Sequence, residues 1–228
     1  IRIHIIDDAS TAPGTVKFLS RLERKNRYRG IGLKLSHNTE NEWVAACRCA
    51  GAEQAGTDYV VFLDSDDALD CDYLKKAVLL LEANPQASWA YPGTRTFGDS
   101  HHLWPAEPFS AFNVWFKFSY NTPNVYRTRQ WLSVGQRKVP VTGDYMIYEY
   151  WDTLIRMVAR GMFGTPVQDS FFSCRSRHVT PIDRPTKIHL LSSYLTWRIN
   201  LARLPLLLRS RLNHRGALGA NTGQPHRL

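Results

Sequence analysis

Asp64-Ser65-Asp66 sets two carboxylates two residues apart, and on an extended segment such a pair projects to one side. The pair follows Tyr59-Val-Val-Phe-Leu63 directly. These five apolar residues, bounded by Gly56 and Asp64, predict a strand covered on both faces, as in a parallel sheet. Hard carboxylate oxygens at a strand end suit Mn2+ or Mg2+, which take few protein ligands and complete their shells with water and phosphate oxygens. A second acidic pair, Asp7-Asp8, closes the apolar run Ile3–Ile6. Two strand ends carrying adjacent carboxylates point to one crevice, because ligands of open α/β sheets bind beyond the carboxyl ends of the strands.

The elements that must hold these residues alternate. After the strand over 3–6, Ala9–Gly14 is a turn with Ser10 or Thr11 as helix cap, and Val16, Leu19 and Leu22 follow at helical spacing. Ile31–Leu35 reads as a strand. Asn41 caps a helix over 42–55, with Trp43, Ala46, Cys47 and Ala50 inward. Beyond Leu63, a helix over 72–83 stops at Asn84-Pro85, and Ser88–Tyr91 is a strand. The span 92–125 is irregular, with a helix near 109–118 and then a strand near 123–127. Tyr148–Arg160 is helical, since Trp151, Leu154, Ile155 and Val158 fall at i, i+3, i+4 and i+7. Phe163–Val167 and Phe171–Cys174 read as two short strands. Strands alternating with helices predict an α/β fold with right-handed crossovers.

Composition bounds the function classes. The 228 residues are 43% hydrophobic and include 27 aromatics, too many for a disordered chain. The net charge of +9 is uneven: residues 1–174 carry 19 acidic and 19 basic side chains, and residues 175–228 carry ten Arg/Lys against Asp183 alone. Nucleic acid is not the expected partner, because the tail offers one Tyr and one Trp, both on an apolar face, with no interleaved aromatic and basic surface. A helix over 187–204, broken or continued at Pro205 into 205–212, has a wide apolar face and flanking arginines. It is read either as a peripheral contact with anionic membrane through residues 187–212 or as a helix docked on the domain. The domain reading is 1–180 globular, 181–213 an amphipathic helical extension and 214–228 a disordered tail. Cys47, Cys49, Cys71 and Cys174 match no disulfide scaffold or zinc spacing and read as reduced thiols in a cytoplasmic protein, lying at the inner face of the membrane if the tail binds there. Ile1 falls inside a strand pattern, so the sequence is expected to begin within its domain.

Five ordered segments carry a resemblance. Ile6-Asp-Asp-Ala-Ser10, Ala46-Cys-Arg-Cys-Ala-Gly51, Phe62-Leu-Asp-Ser-Asp-Asp67, the helix Glu149–Gly161 and the loop Phe171–Arg175 resemble a family 2 glycosyltransferase of the GT-A fold. They stand where that family has VDDGS, AARNAG, FLDxDD, an E-D-W helix and an LFxYR-type loop. The resemblance implies a GT-A type doubly wound, mostly parallel sheet with flanking helices, here with a C-terminal helical extension. It implies metal-dependent, inverting transfer from a nucleotide-diphosphate sugar to a glycan or lipid-linked acceptor, often of the cell envelope. Asp8 would bond the nucleobase beside Asp7, Asp66 would be the main metal ligand, and Asp64 would face the ribose or metal. Arg48 would lie near the donor phosphates or pair with a strand-end Asp. Arg175, with Arg177 and His178, would close over the diphosphate.

Two departures stand out. The family's first strand, central in its sheet, has no counterpart. Where the family has its catalytic Asp this chain has Tyr150, a poor base at an ordinary phenol pKa of about 10. Glu149 or Asp152 would then act as base, three residues apart on one helix face. The alternatives are a catalytically impaired relative that still binds the nucleotide sugar, and a nucleotidyltransferase, which usually carries an early Gly-rich basic loop not found here.

Overall fold

The computed structural model describes residues 1–24, 27–28, 30–116, 123–136 and 149–176. In chain order these form β1 (Arg2–Asp7), α1 (Pro13–Glu23), β2 (Arg27–Tyr28), β3 (Ile31–His37), α2 (Trp43–Glu53), β4 (Tyr59–Val61) and β5 (Ala68–Leu69). There follow α3 (Tyr73–Ala83), β6 (Trp89–Gly98), β7 (Leu103–Trp104), α4 (Ala111–Phe116), β8 (Val125–Arg127), α5 (Thr128–Val134), α6 (Glu149–Val158) and β9 (Gly164–Ser176). The extension 181–213, the tail 214–228 and the residues Arg177 and His178 lie outside the described residues.

Two sheets form, in the orders β1-β3-β2 and β4-β8-β6-β9-β5, with β7 on β6. The two long ladders are parallel, β1 on β3 and β6 on β9, while the short pairings are antiparallel. With helices packed on the sheets this is an α/β fold of GT-A type.

β6 is the centre of the molecule, and period-2 alternation explains both of its faces. Trp89 and Tyr91 pack with Trp115, Tyr126, Trp131, Leu154 and Met157 on one side. Ala90 faces Tyr73, Ala77 and Leu81 of α3 on the other. A small residue on the α3 side lets that helix sit close, and aromatics fill the wider gap beneath α6.

Three expectations change. β4 ends at Val61 and pairs antiparallel with β8, and its residues are half-buried. Among the described strands it lies at a sheet edge with one neighbour, and that pairing is antiparallel, so continuous apolarity did not here mean a parallel strand covered on both faces. Phe62 leaves the strand and packs against Trp131 and Tyr126, with ring centroids 4.8 and 6.3 Å away. The two strands expected at 163–174 are one, β9. Its register on β6 shifts between Tyr91 and Gly93, and Asp169 takes a positive φ of 50°, which Asp tolerates better than most residues. On α2 the fully buried residues are Ala45 and Ala52, and Trp43 is 46% exposed. Trp43 has φ +68°, which turns its side chain out of the helical pattern on which the inward face was read.

Candidate active site

Five elements bring the chemistry together. Asp64, Ser65 and Asp66 leave β4 as an exposed loop, and its turn is closed by the Asp67 amide donating to the Asp64 carbonyl at 3.1 Å. Asp67 fastens that loop to β9 by accepting from the Arg175 amide, also at 3.1 Å. Burial first, and then its neighbours Asp64 and Asp66, hold the Asp67 carboxyl above its ordinary pKa despite this bond. Burial and the same acidic loop push the Cys174 thiol up to about 11. Asp67 and Cys174 were not among the expected site residues.

Arg48 of α2 reaches the loop. Its Nη2 donates to Asp64 Oδ1 at 2.8 Å, with the arginine side chain 12% exposed and the aspartate 52%. Of the two readings of Arg48, pairing with a strand-end Asp is therefore the one seen. A cavity of about 10 Å³, room for about one water, lies among Arg48, Asn124, Tyr126 and Tyr150. Asn124 Nδ2 donates to Tyr126 Oη at 3.0 Å, while the buried Asn124 Oδ1 has no partner among the described residues. Burial lifts the Tyr126 phenol to about 12. No local pattern in the sequence marked Asn124 or Tyr126, because their meaning lies in burial.

The start of α6 faces this cluster. Glu149 is 3% exposed and its Oε2 has no partner among the described residues; burial raises its pKa, with Arg48 acting in the opposite direction. Burial likewise holds the Tyr150 phenol well above its ordinary value, with Arg48, Asp64, Cys174 and Tyr126 near enough to bear on it. Asp152 is engaged elsewhere: its Oδ2 accepts from Arg156 Nε at 2.7 Å, and Arg156 also donates to the Val134 and Gly135 carbonyls. That network ties α6 to the end of α5.

The ends of β1 and β3 form a second neighbourhood. Asp8 accepts from Asn38 Nδ2 at 2.7 Å, from the Glu42 amide at 2.8 Å and from the Trp43 amide at 2.9 Å. Burial opposes ionisation, but these bonds outweigh it and hold the carboxyl below its usual range. Asp8 thus caps α2 from a distant strand. Asp7 accepts from His37 Nδ1 at 2.9 Å and from the Ser10 amide at 3.3 Å. It lines an open pocket of about 400 Å³ with Ser10, Thr11, His37, Asn38 and Thr39. The α1 cap is Ala12 rather than Ser10 or Thr11, with no side-chain bond. Arg175 stacks on Phe97, its guanidinium carbon 4.7 Å from the ring centre.

Among the described residues no three His, Cys, Asp or Glu side chains converge on one point. Asp64 and Asp66 offer hard oxygens on an exposed loop, which fits a cation that completes its shell from a bound phosphate and water. Cys47, Cys49, Cys71 and Cys174 are free thiols. No described helix is long and apolar enough to cross a membrane.

The two acidic strand ends thus line separate neighbourhoods rather than the one crevice expected of them. A GT-A type α/β fold with an acidic loop, an arginine and a helix start around one polar cluster marks the class, a glycosyltransferase domain. The chain belongs to glycosyl transferase family 2, whose sequence model matches residues 1–149. No curated protein matches the sequence significantly. Among solved structures, the chain is similar to GalNAc-T7 in complex with UDP, GalNAc and Mn2+, at 14% identity and a TM-score of 0.57, over 77% of this chain and 38% of that one. It is also similar to the mannosyltransferase PcManGT from Pyrobaculum calidifontis in complex with GDP-Man and Mn2+, at 16% identity and a TM-score of 0.57, over 98% of this chain and 67% of that one. At such identities the likeness is one of fold.

Proposed function

We propose that residues 1–180 transfer a sugar from a nucleotide-diphosphate sugar to a hydroxyl of a glycan or lipid-linked acceptor, with inversion at the anomeric carbon. The observation that carries this reading is the meeting of the Asp64–Asp67 loop, Arg48 and the Glu149-Tyr150 helix start around one polar cluster. The two solved structures named above were captured with a nucleotide or nucleotide sugar and Mn2+, which supports a donor of that class here.

Asp64 and Asp66 would hold Mn2+ or Mg2+, and a divalent cation there neutralises the charge growing on a leaving diphosphate. Arg48 fixes Asp64, and Asp7 with the hydroxyls of its pocket offers polar groups to the nucleoside. Asp8 serves this part of the site by holding the α2 start. Arg175, whose amide bonds Asp67, would contribute positive charge toward the diphosphate. In the transfer the acceptor oxygen bonds to the anomeric carbon, the bond from that carbon to the phosphate oxygen breaks, and the hydroxyl proton passes to a base. Glu149 is the better base, having an unpartnered oxygen, whereas Asp152 is paired with Arg156. Burial makes Tyr150 a worse base than an ordinary phenol.

That same Tyr150 favours a second reading, a domain that binds the donor without turning it over. Residues 187–212 are read as a peripheral contact with anionic membrane, the alternative being a helix docked on the domain. The central test is Asp66→Ala, at an exposed position where folding should survive. The parent chain should show Mn2+-dependent thermal stabilisation by a nucleoside diphosphate, and the variant should lose it. Equal stabilisation in both proteins would remove the metal and donor reading.

A further inference from the structure

We propose that the outward face of α1, carrying Lys17, Arg21 and Arg24 with Phe18 at its border, is a contact surface for an anionic lipid bilayer. The inference stands on described residues of the folded domain and is independent of the reading given to residues 187–212.

Residues 1–174 are neutral in sum but not in distribution. Residues 17–29 hold six of their nineteen basic side chains, against Glu23 alone. Lys17, Arg21 and Arg24 fall at i, i+4 and i+7, so they share one face of α1 and its C-terminal cap. All three are exposed, and among the described residues none is paired with a carboxylate. The opposite face is the one that packs. Leu19 is the buried residue of α1, and Val16, Leu19 and Ser20 line the pocket of Asp7 and His37. Glu23 turns that way too, with its Oε1 4.0 Å from His37 Nε2, and leaves the basic face without an acid.

Phe18 decides the kind of partner. It lies three residues before Arg21, at the border of the basic face, and is 59% exposed. The helix dipole accounts for Arg21 in the last turn, but not for Lys17 a turn earlier or for a bare aromatic ring beside them. A bilayer interface satisfies both kinds of group at once. The ring sinks among acyl chains while the cations, on long stems, reach lipid phosphates. A nucleic-acid strand is the poorer fit, because it stacks on several aromatics in series along a groove, and this convex helix face offers one.

The test is co-sedimentation of the full chain with vesicles rich in phosphatidylglycerol, at about 0.1 M salt, where a Debye length of about 10 Å keeps each charge local. Lys17→Glu combined with Arg21→Glu should weaken binding about 10-fold or more, since each cation at the surface contributes about 5-fold. Lys75→Glu combined with Arg129→Glu makes the same charge change at exposed positions of α3 and α5, and should cost less than about 3-fold. Phe18→Ser should weaken binding about 5-fold, and Phe18→Leu should keep it within about twofold of the parent. Equal losses from the two charge pairs overturn the proposal, because net charge alone would then explain them. Unchanged affinity in Phe18→Ser overturns it as well, since the ring would have stayed in water. So does a parent chain that binds no anionic vesicles, or an α1 pair that loses a thymidine oligonucleotide while keeping the vesicles. Should the α1 pair fail to give a cooperative melt, Lys17→Gln with Arg21→Gln takes its place, with an expected loss of about 5-fold or more. No loss in that pair overturns the proposal.

Discussion

Ala9 has a φ of 59° at the turn after Asp7-Asp8, where the family motif carries glycine. A Cβ in the left-handed region costs about 1–2 kcal/mol, of which glycine returns part through its freedom in the unfolded chain. Ala9→Gly should stabilise the chain by about 1 kcal/mol, a rise in Tm of about 2–4 °C in a thermal melt. A lower Tm would show that the Ala9 methyl makes contacts worth more than the strain. Trp43 holds a similar conformation for a different reason. Its amide is shared by Asp8 Oδ2 and Asn41 Oδ1 at 2.9 and 3.0 Å, so hydrogen bonds at the α2 start offset its backbone strain. One residue is strained by substitution and the other is held by its partners, and the sequence alone marked neither.

At the scale of elements, the start of α6 decides the chemistry. Glu149 and Asp152 are equivalent in sequence, both in the first turn of one helix. Packing separates them, because Arg156 reaches back one turn to Asp152, while Glu149 is buried with an oxygen that has no partner among the described residues. With a suitable donor and acceptor supplied, Glu149→Gln should lower turnover by ~10²–10⁴-fold, the usual cost of losing a positioned base. Asp152→Asn should act mainly on stability through the Arg156 network, and Tyr150→Asp should raise turnover. Neutral results for both Glu149→Gln and Tyr150→Asp would move the base off this helix.

Over the whole molecule, charge is divided along the chain. The neutral balance of residues 1–174 and the excess of Arg/Lys beyond them make the two parts answer differently to salt. The full chain should co-sediment with vesicles rich in phosphatidylglycerol at low salt, and release as screening shortens the Debye length to about 3 Å near 1 M. Binding to neutral phosphatidylcholine vesicles should be weak. Equal binding to both lipids, or none at low salt, would count against an electrostatic contact.

The sequence by itself determined the alternation of strands and helices, the acidic strand ends at Asp7-Asp8 and Asp64–Asp67, and the family. Each of these is written in local patterns: apolar runs, helical spacing and short motifs in order. The sequence also gave α6 its inward face, with Leu154, Ile155 and Val158 buried as their spacing required. Tertiary structure decided which strand pairs with which, since the apolar run at Tyr59 is compatible with a central or an edge position. It joined 164–176 into one strand, because a register shift is a property of two strands and not of one. It set Asp8 to capping α2, Asp7 to lining a pocket, Asp152 to an ion pair and Glu149 to burial without a partner. Carboxylates are alike in sequence, and what distinguishes Asp7 and Asp8 is the donors that folding brings from 30 or more residues away.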